Sequence, residues 1–301
     1  MTNNSPIAAS ALTDLFNTAF RQHIINLLGI CVALILSGAA VAGGDYDYAA
    51  DETVDYQSNA HQTGAEQNHS ENPVSVSSSP SIEAASLRQV SPYQAVYQSK
   101  VKGITAELQR SLKQTSTGQW QLSNVVNVLF TGFDEQAQFS IENGQVRPTL
   151  YHYNNPMSKS RSSELHFDQK LQTVIDKDHL KTPLKLSPST TDKLSAQLQI
   201  RLDMIREGKA YSGKAYSVVD STKLKTYHTE VVGEEAIKVF AGKFNAIKIK
   251  QFRQGKDKHQ LIWLAKDHQY LILRLDVIDK GTLRDSLQLK QATIDGNDIS
   301  R

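Results

Sequence analysis

From Tyr93 almost to the C-terminus, apolar and polar side chains alternate one by one, and no other feature restricts the fold so strongly. In GITAELQRSLK, Ile104, Ala106, Leu108 and Leu112 fall on one side and Thr105, Glu107, Gln109 and Lys113 on the other. Trp120, Leu122, Val126, Val128 and Phe130 share a side in the next stretch, Ala137, Phe139 and Ile141 in AQFSI, and Leu165 and Phe167 in ELHFD. The pattern resumes after Tyr211 through KTYHTEV, AIKVF, FNAIKIKQF, LIWLA, LILRLDVI and DSLQLKQA. Successive strand residues point to opposite faces, so this alternation predicts antiparallel strands with one face on a core and one in water. Turns are expected at Glu142-Asn143-Gly144, Ala241-Gly242-Lys243 and Asp279-Lys280-Gly281, whose residues tolerate positive φ.

One stretch breaks the period of two. In SPSTTDKLSAQLQIRLDMIREGK, Leu194, Leu198, Leu202 and Ile205 recur at helical spacing, Asp192 and its Ser/Thr neighbours cap the start, and Gly208 stands at the stop. The stripe reads as a packing face; a face for a partner helix is the other reading. Ten or more strands and one helix predict a mainly β (α+β) fold, a strongly curved antiparallel sheet or half-open barrel wrapping one amphipathic helix. Such a fold leaves a cleft lined by apolar side chains, a natural place for a ligand.

What precedes Tyr93 is of another character. Residues 24–42, IINLLGICVALILSGAAVA, carry no charge and end in Ala40-Val41-Ala42, the small-x-small pattern of a signal-peptidase site. Residues 1–42 are therefore expected to be a signal peptide, with an uncleaved anchor as the alternative, since about 19 apolar residues also span a bilayer. Both place the rest outside the cytoplasmic membrane: periplasmic, or anchored by 24–42 and facing the periplasm. Cys31, the sole cysteine, follows Ile30 rather than a small residue, which argues against lipidation. Its removal with the leader would leave no disulfide, thiolate metal site or cysteine nucleophile. Residues 43–90 are rich in Ser, Asn, Gln, Asp and Glu and poor in large aliphatics, so they are expected to be a disordered acidic linker. DYDYAADETVDY within it reads as a solvated spacer or a docking motif. Residues 91–301 are expected to form a single β-rich domain. The chain has 31 acidic and 33 basic residues; up to Val90 lie nine acids against Arg21 and Arg88, so 22 and 31 remain after it, an excess of about nine positive charges.

The order of motifs resembles domain-of-unknown-function family 3108, a family of exported bacterial proteins. The residues that carry it are the opening Pro92-Tyr93, GITAELQRSLK and GQW, FSIENGQVRPTLYHY, LHFDQ with Phe167-Asp168, and VVGEEAIKVFAGKFNAIKIKQFR followed by LIWLAKDHQYLILRLDV. There Gly242-x-Phe244 marks a turn and strand, and Trp263 opens a late strand. The resemblance covers most of residues 92–295 and implies no established activity. The shape it implies is similar to that of periplasmic carriers of outer-membrane lipoproteins, which hold acyl chains between sheet and helix. With a single clear helix, this chain departs from those carriers, whose helical lid would be small or missing here.

Motifs for catalysis are absent: no Gly-x-Ser-x-Gly elbow, His-Glu-x-x-His helix, phosphate-cradling glycine loop or paired-cysteine metal site occurs. Asp lies near His at 176–179, 257–259 and 267–268, which turn chemistry explains as well as metal binding does. No enzyme activity, cofactor or metal is expected. Lys248, Lys250, Arg253, Lys256 and Lys258 crowd one hairpin; compartment and lack of aromatic interleaving argue against nucleic acid, leaving a solvated edge or transient contact with an anionic membrane surface. Arg110 falls in the apolar register of its strand, so it either snorkels at a sheet edge or serves as a polar anchor for an anionic headgroup or acyl ester at the cleft mouth. Asn124 stands similarly beside Trp120 and Val126. The candidate ligand-binding residues are therefore Arg110, Asn124, Trp120 and Trp263. The leading expectation is a non-enzymatic envelope protein that binds a hydrophobic or lipid-like ligand in the sheet–helix cleft. The alternative is a protein-interaction or scaffold module with a filled cleft and the acidic linker recruiting an envelope partner. Arg110 pointing into a cavity favours the first, and a cleft plugged by Leu194, Leu198 and Leu202 the second.

Overall fold

A computed structural model describes residues 90–300, apart from 102–103, 129–130, 156–159, 161, 178 and 221. The expected signal peptide, the linker up to residue 89 and Phe130 lie outside the described residues. The strands are β1 (Tyr93–Val101), β2 (Ile104–Gln114), β3 (Trp120–Val128), β4 (Thr131–Glu142), β5 (Gln145–Asn154), β6 (Ser163–Asp168), β7 (Thr173–Asp176) and β8 (Leu184–Lys185). After the helix α1 (Lys193–Glu207) come β9 (Ala215–Asp220), β10 (Lys223–Val239), β11 (Gly242–Phe252), β12 (His259–Ala265), β13 (Leu271–Asp279), β14 (Thr282–Ile294) and β15 (Asn297–Asp298).

All belong to one 15-stranded antiparallel sheet, as the alternation predicts. It is two meanders joined side by side: β1 to β8 run outward in one direction, β14 back to β9 in the other, and β14 lies against β1. β8 and β9, the two ends, do not pair with each other, so the sheet is not closed into a barrel. The segment between them is tied to both. The Leu186 N–H donates to the Gln172 carbonyl at 2.8 Å; Thr191 forms a parallel bridge with Val218, its N–H reaching the Ser217 carbonyl at 3.0 Å.

Local chemistry fixes the register. In β6, Ser163, Leu165 and Phe167 are buried while Glu164 and His166 are not, so a one-residue slip would turn the core face to water. Asn143-Gly144 and Lys280-Gly281 form two-residue turns with φ of 52 and 74°, and 50 and 73°, matching the twist of their strands. Register shifts at Val96/Tyr97, Gln138/Phe139, Val231/Gly233, Trp263/Leu264 and Val277/Ile278 are bulges, which bend the sheet around its core.

The curvature makes room for α1. Asp192 caps it, its Oδ1 accepting the N–H groups of Leu194 and Ser195 at 2.9 Å each, and Gly208 at φ 55° ends it. Leu194, Leu198 and Leu202 are buried, as their spacing predicts, but so are Gln197, Gln199, Arg201 and Asp203 from the other sides. Eleven of the 15 helical residues are buried because the sheet curls round the helix instead of meeting it on one stripe.

One edge stays open. β10 is 17 residues long and β9 covers only Lys223–His228 of it. The carbonyls of Lys214 and Ser212 then accept the Thr229 and Val231 N–H groups at 2.8 and 3.3 Å. Gly213 allows that approach, since a Cβ there would stand 2.1 Å from the Thr229 carbonyl oxygen. From Gly233 onward, β10 is paired on the β11 side alone among the described residues.

Candidate functional site

Arg110 is buried, on the concave side of the sheet. The register sets it opposite Ala95 of β1 and Asn124 of β3, and Asn124 in turn opposite Glu135 of β4. Two polar clusters result, both beneath α1. In the first, the Arg110 Nε–H donates to the Tyr93 hydroxyl at 2.9 Å, and the Arg201 guanidinium from α1 lies 4.7 Å from the centre of the same tyrosine ring. Arg201 also donates through Nε and Nη2 to the Gln269 carbonyl at 3.3 and 3.1 Å, which ties the helix to the β12–β13 turn. In the second, Glu135 accepts from Asn124 Nδ2 at 3.0 Å and from the Tyr151 hydroxyl at 2.6 Å.

Burial sets the electrostatics of both. It pushes the Glu135 carboxyl above its ordinary range, more than Tyr151, Lys193 and Asn124 pull it back. It pulls the Arg110 guanidinium down, but Tyr93, Tyr97 and Glu135 outweigh it and hold that group above its usual value. For Arg201 burial wins and the value falls. Neither arginine has a carboxylate within ion-pair distance among the described residues. Two buried atoms there, Asn124 Oδ1 and Arg201 Nη1, have no hydrogen-bond partner among the described residues.

Trp120 belongs to the same face, half-buried at the start of β3 and opposite Phe139. Trp263 does not. Pairing aligns it with Arg274, Gln288, Gln98 and Glu107, whereas Ile262 aligns with Leu275, Leu287, Ser99 and Ala106, the face of Arg110. Trp263 is covered on the outer face, between Lys248 at 4.7 Å and Arg274 at 4.9 Å from its ring centre, with its indole N–H on Glu235 at 2.7 Å. Arg110, Asn124 and Trp120 thus share a face with Glu135, Tyr93 and Tyr151 and lie beneath Arg201 of α1; these four are not among the ligand-binding residues expected from the sequence.

The Ser195 hydroxyl donates to Asp192 Oδ2 at 2.6 Å, which ties it to the helix cap. Among the described residues, no three of His, Cys, Asp and Glu come together as a metal-holding group. One hollow of about 290 Å³ is lined by outward side chains such as Gln94, Gln109, Ser123 and Val125 and also reaches Ala95 and Arg110; another of about 160 Å³ lies by Lys243, Asn245 and His268.

The helix cap carries a pH signature. Burial raises the Asp192 carboxyl to about 6, although three hydrogen bonds oppose it. A carboxyl whose value is higher folded than unfolded favours folding when protonated, so its contribution falls as pH rises from about 4 to 6 and is flat above. Glu135 acts in the same direction. Asp220 acts oppositely: burial would raise it, but Lys193 and Lys225 hold it low, so its contribution is lost only below the ordinary carboxylate range. The urea midpoint is therefore expected to rise as pH is lowered from 7 to about 5. Asp192→Asn caps equally well and should flatten that rise; a midpoint that falls on acidification in both proteins contradicts the assignment.

A family model described as "Protein of unknown function (DUF3108)" matches residues 99–288. No curated protein matches the chain. Among solved structures, it is similar to a β-barrel-like protein of the domain of unknown function DUF1849 from Brucella abortus (TM-score 0.47, 11% identity, covering 68% of this chain and 98% of that one). It is also similar to the MucA/MucB complex structure of Pseudomonas aeruginosa (TM-score 0.36, 12% identity, 71% of this chain), where it spans 55% of the matched chain's length. A DUF1329 family protein from Desulfovibrio piger gives a TM-score of 0.26 at 12% identity, covering 71% of this chain and 90% of that one.

Proposed function

The chain belongs to the DUF3108 family, and from that premise we propose that it is a non-catalytic interaction or scaffold module of the cell envelope, with a protein partner recruited by its acidic linker. One observation carries the reading: α1 fills the concave side of the sheet, with Leu194, Leu198 and Met204 at 0, 1 and 0% exposure. The space in which a carrier would hold an acyl chain is taken by the protein's own side chains. Envelope location rests on the uncharged segment 24–42 and its Ala-Val-Ala end. No described helix is long and apolar enough to cross a membrane.

A second reading, a lipid-like ligand admitted between sheet and helix, has one observation in its favour. Asn124 Oδ1 and Arg201 Nη1 are buried beneath α1 without partners among the described residues, and a ligand headgroup would supply them. The two readings separate in cells. Formaldehyde crosslinking of the full chain should trap a discrete adduct with another envelope protein, and deletion of residues 45–56 should remove it. An adduct that survives the deletion removes the linker from the recognition, and absence of any protein adduct overturns the reading.

A further inference from the structure

The open edge of β10 is written in a self-complementary order. Residues 233–239 read Gly-Glu-Glu-Ala-Ile-Lys-Val, and alternate residues of this stretch turn their N–H and C=O groups away from β11. Two strands related by a twofold axis pair residue i with a residue on the other copy such that the two numbers have a fixed, even sum. Centred on Ala236, the pairing sets Glu234 against Lys238 of the second copy, and Lys238 against Glu234 of the second copy. Centred on Glu234, Glu235 or Lys238, it sets like charges directly opposite each other, which is destabilising. Centred on Ile237, it sets Lys238 against Ala236 and leaves both charges without a mate.

Two further observations favour the Ala236 register. Lys238 is exposed, has no ion pair among the described residues, and lies directly opposite Lys243 across the β10–β11 ladder, while Glu234 also meets Lys266 of its own chain and would share its carboxylate between the two lysines. A glutamate on its other side relieves that repulsion. Val232 and Phe240, at 52 and 54% exposure, are two of six large apolar side chains left in water. Their numbers also sum to the Ala236 register, so Phe240 of each copy meets the Val232 end of the other.

We propose that the open edge of β10 is a homodimer interface, in which two copies of this chain pair antiparallel about Ala236 and extend the sheet across a twofold axis. The proposal does not rest on the envelope-module reading. The partner it fits is set by backbone groups and by the Glu234–Lys238 charge order.

The test is sedimentation velocity of the full chain across a concentration series. A monomer–dimer equilibrium is expected for the wild type. K238E or E234K should each weaken it about tenfold or more, since each turns two attractive cross-strand pairs into repulsive ones. Mixing K238E with E234K should restore dimer, because both charge pairs are then regained in the mixed species; this also shows that neither variant is misfolded. In a C31S background, A236C should form an intermolecular disulfide under mild oxidation while E235C and I237C do not. A wild type that stays monomeric throughout the series, a dimer indifferent to both charge reversals, or faster crosslinking through E235C or I237C overturns the proposal.

Discussion

Leu198→Ala is expected to destabilise the protein by about 2–5 kcal/mol, the range for deleting a leucine side chain from a packed core. Leu198 is 1% exposed and sits at the middle of α1 with Leu194 and Leu202 on either side. The helix is enclosed by the curled sheet, so little relaxation is available to close the cavity. The urea midpoint should fall with an unchanged slope, since the surface exposed on unfolding hardly changes. The functional stake is direct. A loss below about 1 kcal/mol would mean that α1 is loosely seated, and a helix that lifts easily is what the ligand-holding reading requires.

Glu135→Leu should cost a comparable amount, about 3–5 kcal/mol, for a different reason. The leucine leaves the Asn124 amide and the Tyr151 hydroxyl buried without their acceptor and removes a carboxylate whose field supports Arg110. Glu135→Gln keeps an acceptor in place and should cost much less. Combining Glu135→Leu with Asn124→Leu and Tyr151→Phe should recover part of the loss, because the stranded donors disappear together. Equal stability of Glu135→Leu and Glu135→Gln in equilibrium denaturation would show that the cluster does not act as a unit.

These residues also mark where the sequence is readable. Strict alternation gave the strands and their inward faces, and Asp192 and Gly208 gave both ends of α1, because each signal is local. Arg110 and Asn124 were legible as polar residues in an apolar register. Glu135 was legible by the same test, lying between Phe133 and Ala137 in register, yet its stretch of β4 is polar enough to pass for a loop. Trp263 is a different case. In LIWLA both faces of the strand are apolar, so alternation cannot say which looks inward; the pairing with Arg274 and Gln288 decides it. The buried Gln197, Gln199, Arg201 and Asp203 were hidden because a one-sided leucine stripe describes a helix lying on a surface, not one enclosed by it. The open edge was hidden too: KTYHTEV and AIKVF read as separate strands around Gly233, whereas β10 runs through both and outlasts β9.

On this reading the concave side is filled by the protein itself. Native mass spectrometry of the chain recovered from the cell envelope, with organic extraction of whatever travels with it, tests this most directly. The expected spectrum holds the mass of the polypeptide alone, in one copy or two, and an empty extract. A lipid bound in stoichiometric amount, released by extraction and reduced in Arg110→Ala or Arg201→Met, would contradict the account and make the space beneath α1 a binding site.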